Sequence, residues 1–256
     1  GSVPDSGNFS VELRNVGFSY ENSDCFLYGL SFSISPGEKI AIVGENGAGK
    51  STFVKLLLRL YDVTEGEIYI NGKSIREYDI HALRKKIGVA FQNTNIYAMS
   101  FARNISMYGE VSEPALHEVT EMLGLDSVLA KNHTNYQAEL TREFHEDGIM
   151  LSGGEAQKIA LARVMSGDFG LLLLDEPSSA LDPIAEYKMC QAILSTANKA
   201  TTIMIAHRLS TIRDADRILV LHQGTICECG NHDQLMALQG RYYEMFTKQA
   251  ENYVKQ

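Results

Sequence analysis

The fold is decided by Gly44-Glu45-Asn46-Gly47-Ala48-Gly49-Lys50-Ser51, followed by Thr52. Its glycines let the backbone turn so that successive N–H groups point into one concavity, which suits an anion. An apolar run at residues 40–43 precedes the stretch and apolar residues at helical spacing follow it over 52–60, which predicts a buried strand before it and a helix after it. A phosphate group placed there would meet the positive N-terminal end of the helix.

The residues of this loop have distinct expected roles. The Lys50 ammonium is expected to reach the β- and γ-phosphates of a nucleotide, and the Ser51 hydroxyl is expected to be a Mg²⁺ ligand. The other expected nucleotide contacts are Gly44, Glu45, Asn46, Gly47, Ala48, Gly49 and Thr52. The alternative is a plain strand-to-helix turn, but a chance match has a probability on the order of one per cent at average amino-acid usage.

Two carboxylates follow a second apolar run. Residues 171–174 are four leucines, typical of a parallel strand covered on both faces, and Asp175 and Glu176 come directly after them. Ligands bind outside the carboxyl ends of such strands. We therefore expect Asp175 to hold Mg²⁺, directly or through water, and Glu176 to polarise an attacking water. Two solvated acids that end a strand are the alternative, which the phosphate loop disfavours.

Composition limits the class of protein. The 256 residues carry a net charge of −9, and 45% of them are hydrophobic. An acidic chain has no overall basic footprint for nucleic acid, so we expect no nucleic-acid partner. No segment approaches the roughly 18 consecutive apolar residues of a membrane span. Strands that alternate with helices predict an α/β sheet.

A further glycine-containing stretch narrows the choice among proteins with such a phosphate loop. It is Leu151-Ser152-Gly153-Gly154-Glu155, continued by Ala156-Gln157-Lys158-Ile159-Ala160-Leu161-Ala162-Arg163. Its Ser152 and glycines open a helix whose exposed N–H groups can hold a γ-phosphate, whereas an ordinary serine N-cap is the alternative. In this order along the chain, the stretch resembles the signature of the ATP-binding cassette family, and the resemblance covers about residues 9–250.

The resemblance implies roles for three separate residues. Tyr20 is similar to the aromatic platform that stacks on adenine, an interaction that aromatic rings favour. Gln92 resembles the glutamine that senses both Mg²⁺ and the attacking water, so it is expected as a catalytic residue and as a metal ligand. His207 resembles the switch histidine that contacts the γ-phosphate, so the expected catalytic set is Glu176, His207 and Gln92.

The resemblance also implies partners and cofactors. Two such domains, in a homodimer or a heterodimer, face each other head to tail around ATP and Mg²⁺. Ser152, Gly153, Gly154 and Glu155 of one copy then complete the site of the other, and residues 178–182 resemble the loop that crosses to the partner. A transmembrane domain of the same transporter is the other expected partner, which places the chain at the cytoplasmic face of a cell membrane.

The implied fold is α/β. It has a P-loop NTPase core with a mainly parallel sheet, an N-terminal antiparallel β subdomain and a helical subdomain that carries the signature. Residues 1–8 are expected to be a tag remnant and tail, because the chain begins Gly1-Ser2 without methionine. Residues 9–256 are expected to form the nucleotide-binding domain, with a core lobe over about 9–92 and 164–250 and a helical lobe over about 93–163. The pattern between about 95 and 158 is mainly helical.

The function implied is an ATP-hydrolysing motor of an exporter. The end of the chain, residues 230–243, resembles exporter-type cassettes, whereas His145-Glu146-Asp147-Gly148 matches the exporter segment Gly-Glu-Arg-Gly only at Glu146 and Gly148. An importer cassette is the alternative, and a soluble repair or chromosome-maintenance ATPase is disfavoured because no heptad run separates phosphate loop and signature. A degenerate regulatory module is disfavoured because Glu176 and His207 are both present.

Overall fold

The computed structural model of the chain describes residues 2, 7–21, 25–91, 94–177, 180–195 and 200–254. The chain divides into two units. Unit 1 comprises Gly1–Ile87, Phe169–Asp175 and Thr196–Gln256, and unit 2 comprises Gly88–Asp168 and Glu176–Ser195. Residues 176–195 group with unit 2, and within that unit the N–H of Ala180 donates to the side chain of Gln157 at 2.9 Å.

The strands and helices keep the expected order along the chain. The strands are β1 Val11–Ser19, β2 Cys25–Ile34, β3 Lys39–Val43, β4 Glu65–Ile70, β5 Lys73–Ser74, β6 Ile87–Ala90, β7 Leu171–Asp175, β8 Thr201–Ile205, β9 Arg217–His222 and β10 Thr225–Gly230. The helices are α1 Lys50–Leu57, α2 Ile80–Lys85, α3 Phe101–Ile105, α4 Glu113–Met122, α5 Asp126–Lys131, α6 Gly153–Met165, α7 Pro183–Ser195, α8 His232–Leu238 and α9 Arg241–Val254.

A mainly parallel sheet forms the centre of unit 1. Within unit 1 its order is β10-β9-β3-β8-β7. β3 runs parallel to β8 and β9, and β7 runs parallel to β8, while β10 closes the edge antiparallel to β9. Every residue of β8 is buried, as are four of the five residues of β3. Both faces of these strands are therefore covered, which explains their continuous apolar runs.

An antiparallel sheet of order β2-β1-β4-β5 forms from the N-terminal part of unit 1. β1 pairs with β2 on one side and with β4 on the other, and β4 turns into β5 through Asn71, which has a φ of +50°, and Gly72, with +74°. Asn-Gly is the pair that such a tight turn favours, because both positions need a positive φ. The predicted antiparallel subdomain is confirmed.

Helices dominate unit 2, but less completely than the sequence pattern indicated. Residues 132–152 form turns and irregular chain between α5 and α6, tied by the isolated bridge of Leu140 to Ile149. The expectation of a mainly helical stretch from 95 to 158 was therefore wrong over this segment. Gly148 lies within this segment, and an added Cβ there would collide with the carbonyl oxygen of Thr141. The backbone packs against itself at this point, so no side chain fits.

In the part of the chain that the structure describes, no helix is both long enough and apolar enough to span a membrane.

Candidate functional site

Three neighbouring parallel strands bring the predicted residues of unit 1 to one edge of the sheet. β8 lies between β3 and β7, and its Ile205 is paired with Ile42 on one side and with Asp175 on the other. Strands in a sheet lie about 4.8 Å apart, so the ends of β3 and β7 are about 10 Å from each other. The phosphate loop after β3, His207 after β8 and Asp175 at the end of β7 therefore face one crevice outside the carboxyl ends of the strands.

Two glycines of the phosphate loop are required by contact as well as by backbone conformation. Gly44 has a φ of +156°, and an added Cβ would meet the carbonyl oxygen of Leu221. Gly49 has a φ of +110°, and its Cβ would lie 2.5 Å from a methyl group of Leu27. Gly47, with a φ of +80°, faces open space, so only its backbone conformation favours glycine.

Lys50 is the polar centre of the loop. It is the first residue of α1 and only 6% exposed. Its ammonium donates hydrogen bonds to the carbonyl oxygens of Gly44, at 2.8 Å, and Glu45, at 3.0 Å. A buried ammonium must be satisfied in this way, and the bonds hold the start of the loop curled back over the helix N-terminus. The loop geometry is therefore built around this one cation.

The rim of the loop is open to solvent. Glu45, Asn46 and Gly47 are exposed, whereas Ala48 is buried. The Glu45 carboxylate accepts from the Arg241 guanidinium at 3.1 Å, which ties the loop to the start of α9. Exposed backbone amides next to a buried cation and a helix N-terminus suit an anion with several oxygens.

Ser51 and Thr52, in the first turn of α1, have different surroundings. Ser51 is exposed, while Thr52 is buried and its Oγ1 lies 3.0 Å from the Tyr20 hydroxyl. The structure thus joins Tyr20 to the helix of the phosphate loop. The Tyr20 ring also contacts three aromatic rings, with centroids 4.8 Å from Phe18, 5.3 Å from Tyr61 and 5.7 Å from Phe26. All three contacts are edge-on, a geometry that aromatic pairs favour.

The acidic strand end has an unusual backbone at its second carboxylate. Asp175 is the last residue of β7, and Leu173 and Leu174 before it are fully buried. Glu176 follows with a φ of +52°, a left-handed conformation that is uncommon for residues other than glycine. Strained residues of this kind persist where the surroundings hold them and cluster at functional sites.

The signature forms the start of α6 in unit 2. Ser152 is the N-cap, and its hydroxyl accepts from the N–H of Glu155 at 3.3 Å, while the Glu155 carboxylate accepts from the N–H of Ser152 at 2.7 Å. This reciprocal pair is a capping box. Burial raises the pKa of Glu155, but the hydrogen bonds from Ser152 and the charges of Lys131 and Lys158 outweigh it, so the pKa lies below its ordinary value.

The glycines of the signature leave room for the chain that follows Glu176. An added Cβ on Gly154 would lie 2.8 Å from a methyl group of Leu181 and 3.3 Å from the carbonyl oxygen of Ala180. The Gln157 side chain, which is buried, accepts from the N–H of Ala180. Sequence reasoning did not assign Gln157 this role, although a glutamine on an otherwise apolar helical face was a usable signal.

Several predicted residues receive only part of a structural description. Gln92 lies outside the described residues, as do Ser178 and Ser179 of the predicted crossing loop. His207 is exposed two residues after the end of β8, and its carbonyl oxygen accepts from Gln249 of α9 at 2.6 Å. Among the described residues, Ser51 and Asp175 offer hydroxyl and carboxylate oxygens, which are the ligand types that Mg²⁺ prefers.

Comparison with known proteins places these residues in a family. The family model described as ABC transporter matches residues 27–179, more than half of the chain. The iron-sulfur clusters transporter atm1, mitochondrial, of Aspergillus fumigatus is 39% identical over 243 residues, which are 93% of this chain and 33% of that protein. The putative multidrug export ATP-binding/permease protein YgaD of Bacillus subtilis is 38% identical, over 94% of this chain and 41% of its own length.

A solved structure agrees with the sequence comparison. The structure of a bacterial Atm1-family ABC exporter with ATP bound superposes with a TM-score of 0.85 and 37% identity, covering 97% of this chain and 43% of the other. The chain spans 33% and 41% of the length of the two curated relatives above. Sequence, fold and site geometry agree: this chain belongs to the ABC transporter family.

Proposed function

We propose that this chain is the ATP-binding and ATP-hydrolysing motor domain of an ABC exporter. The observation that carries the proposal is the phosphate loop, whose buried Lys50 donates to the carbonyl oxygens of Gly44 and Glu45 at the N-terminus of α1. The exporter assignment draws on relatives such as YgaD, named a multidrug export ATP-binding/permease protein, and on the Atm1-family exporter structure.

The residues present suit a triphosphate. Gly44 and Gly49 lie where an added Cβ would collide with Leu221 and Leu27, so the loop is shaped without side chains at these points. Lys50 supplies the positive charge, and Tyr20, held to Thr52, supplies an aromatic ring for the base. The proposed nucleotide contacts are therefore the loop residues 44–52 and Tyr20, completed by Ser152, Gly153, Gly154 and Glu155 of a second copy.

The residues also suit Mg²⁺. Ser51 and Asp175 provide the hard oxygen ligands, with Gln92 as the third proposed ligand. Bound magnesium would neutralise negative charge on the phosphates of the nucleotide. Glu176 is proposed to accept the proton of the attacking water, and His207 and Gln92 are proposed to arrange the γ-phosphate and the metal.

The proposed partners follow from the same reading. A second nucleotide-binding domain would complete each ATP site, as homodimer or heterodimer. A transmembrane domain of the same transporter would change conformation when the two copies close around ATP. Its presence would place this chain at the cytoplasmic face of a membrane. Membrane-spanning helices encoded on the same polypeptide in the parent gene would support an exporter, whereas a separate membrane subunit would favour an importer.

A titration of Lys50→Ala with MgATP tests the proposal. Loss of one charge-assisted contact to phosphate should weaken binding by about 10- to 100-fold. Lys55→Ala is the matched control, because Lys55 lies on the same helix, in its last turn. Equal affinity of Lys50→Ala and the unmodified chain, measured by calorimetry, would contradict the assigned phosphate loop.

A further inference from the structure

The carbonyl of His207 and the N–H of Leu209 are both held by one side chain from the end of the chain. The Gln249 Nε2 donates to the carbonyl oxygen of His207 at 2.6 Å, and its Oε1 accepts from the N–H of Leu209 at 2.9 Å. The two backbone groups flank Arg208, so the planar amide closes a clasp across that residue. A primary amide matches this pair because it carries a donor and an acceptor side by side.

Other contacts fix the chain just beyond the clasp. Leu209 and Ile212, in a short 3₁₀ turn, are fully buried, and the Thr211 hydroxyl donates to the carbonyl oxygen of Arg208 at 2.7 Å. His207 itself is exposed. The backbone on the C-terminal side of His207 is therefore anchored, and the carbonyl of His207 accepts from Gln249. A side chain that must reach a phosphate at a set distance needs its backbone held in this way.

The helix that carries Gln249 is itself firmly placed. The Glu228 carboxylate accepts from the N–H groups of Arg241 and Tyr242, at 2.5 and 3.0 Å, which caps the start of α9. Tyr242 is fully buried, and its hydroxyl lies 2.9 Å from the Nδ1 of His232. Burial raises the pKa of Tyr242 to about 12, so the phenol keeps its proton for this hydrogen bond.

Gln249 projects from the buried side of this helix. Residues 242, 246 and 249 follow the i, i+4, i+7 spacing that puts side chains on one face. The Phe246 ring stacks on Tyr242 with centroids 6.1 Å apart, and Gln249 is half-buried next along that face. The Gln249 amide that contacts the backbone around His207 therefore belongs to a helix whose buried side is packed.

We propose that Gln249 is a positioning residue for ATP hydrolysis, which holds the backbone of His207 so that its imidazole meets the γ-phosphate. The proposal rests on the proposed function, because it needs His207 to act on ATP. It adds to that function a role for α9, whose start also contacts the phosphate loop through Arg241 and Glu45. One helix thus contacts both the phosphate loop and His207.

Substitution of Gln249 should separate hydrolysis from binding. Gln249→Ala removes both hydrogen bonds, and Gln249→Glu keeps an acceptor for Leu209 but places a carboxylate oxygen against the carbonyl of His207. Both variants should lower kcat by about tenfold, the value of a typical hydrogen bond, and leave the KM for ATP unchanged. Lys248→Ala is the matched control, because Lys248 is exposed on the preceding position of the same helix.

Two further measurements distinguish positioning from general support of the fold. In a His207→Ala background, Gln249→Ala should cause no additional loss of kcat, because residues that act through one another are not additive. Hydrogen exchange of the Leu209 amide should become faster in Gln249→Ala without ATP, since its acceptor is gone. The second readout reports the clasp independently of catalysis.

The outcomes separate this proposal from the proposed function. If the unmodified chain hydrolyses ATP and Gln249→Ala matches it in kcat, the positioning role is overturned and the motor function stands. Additive losses with His207→Ala, or unchanged exchange at Leu209, would also overturn it. If the unmodified chain does not hydrolyse ATP, the proposed function fails, and the positioning role fails with it.

Discussion

At the scale of the residue, Glu176 is the group proposed to accept a proton from the attacking water. It follows the buried end of β7 and adopts a φ of +52°, a backbone conformation that residues other than glycine rarely adopt. Local propensity would favour another residue there, so a glutamate at this position needs a reason other than backbone preference. A role as the group that accepts a proton from water supplies that reason.

Glu176→Gln should separate hydrolysis from ATP binding. Glutamine keeps the size and the hydrogen bonds of the side chain but does not accept a proton, so phosphate release should fall by about 10²–10⁴. Binding of MgATP should persist, because Lys50, Ser51 and Asp175 are unchanged. Steady-state phosphate release and a binding titration measure the two effects. Hydrolysis at the unmodified rate would show that Glu176 is not the base.

Tyr20 is the other residue whose role can be tested in isolation. Its ring is held by the contact with Thr52 and by edge-on packing against Phe18, Tyr61 and Phe26. Tyr20→Ala should lose stacking on adenine worth on the order of 1 kcal/mol, whereas Tyr20→Phe keeps the ring and loses only the hydroxyl. Affinities for ATP, measured by fluorescence titration, should therefore rank Phe above Ala. If both variants bind ATP with equal affinity, Tyr20 does not stack on adenine.

At the scale of the element, the capping box explains why a glutamate is accommodated in the signature. Glu155 accepts from the N–H of Ser152 at the N-terminus of α6, where a negative charge also interacts favourably with the helix dipole. Glutamine, the commoner residue in the family pattern that this stretch resembles, would preserve the hydrogen bond and lose the charge. The two residues are therefore interchangeable in geometry but not in their dependence on pH.

Glu155→Gln should change stability in a pH-dependent way. The folded pKa of Glu155 lies below its ordinary value, so its carboxylate contributes stability that is present above the unfolded pKa of about 4.3 and is lost as the pH falls through the folded pKa. The variant should unfold at a lower temperature near neutral pH, and the difference should shrink in acid. Thermal unfolding between about pH 3 and pH 8 measures it.

Ser152→Ala provides the matched control for this measurement. It removes the hydroxyl that accepts from Glu155, which should cost about 1 kcal/mol. Part of this loss should persist in acid, because the hydroxyl does not titrate and accepts from a backbone N–H, whereas the loss from Glu155→Gln should vanish there. A constant difference between Glu155→Gln and the unmodified chain at every pH would show that the charge of Glu155 does not stabilise α6.

At the scale of the whole molecule, ATP hydrolysis is expected to need two copies. One copy would supply Lys50 and Glu176, and the other would supply Ser152 and Gly154. One copy alone would leave the transition state short of hydrogen-bond donors. The rate of hydrolysis per molecule should therefore rise with protein concentration, because a higher concentration favours the dimer. Phosphate release measured from nanomolar to tens of micromolar protein tests this; a flat rate without a constitutive dimer would contradict it.

The Glu176→Gln variant extends this test to assembly. Uncleaved ATP should bridge the phosphate loop of one copy and the signature of the other, and loss of a negative charge should reduce repulsion near the triphosphate. Sedimentation with saturating ATP should therefore reveal a dimer that is absent without ATP. An inactive variant that stays monomeric would leave the catalytic assignment intact and contradict the two-copy arrangement for this chain.

The sequence by itself determined the family and the order of the elements, and it predicted the residues of the site. Glycine spacing around Lys50 has few backbone solutions, and apolar runs at residues 40–43 and 171–174 have the length and composition of buried strands, so these features are encoded locally. The same is true of the turn at Asn71-Gly72. Where local pattern was ambiguous, as in the irregular residues 132–152, the prediction of helix failed.

Only the tertiary structure decided how distant residues meet. The contacts of Tyr20 with Thr52 and of Glu45 with Arg241 join segments 32 and 196 positions apart, and Gln249 reaches His207 across 42 positions. No periodicity marks such pairs, because they arise from strand order and from the packing of α9. Hydrogen bonds of this kind depend on orientation at about 3 Å, which sequence spacing does not specify.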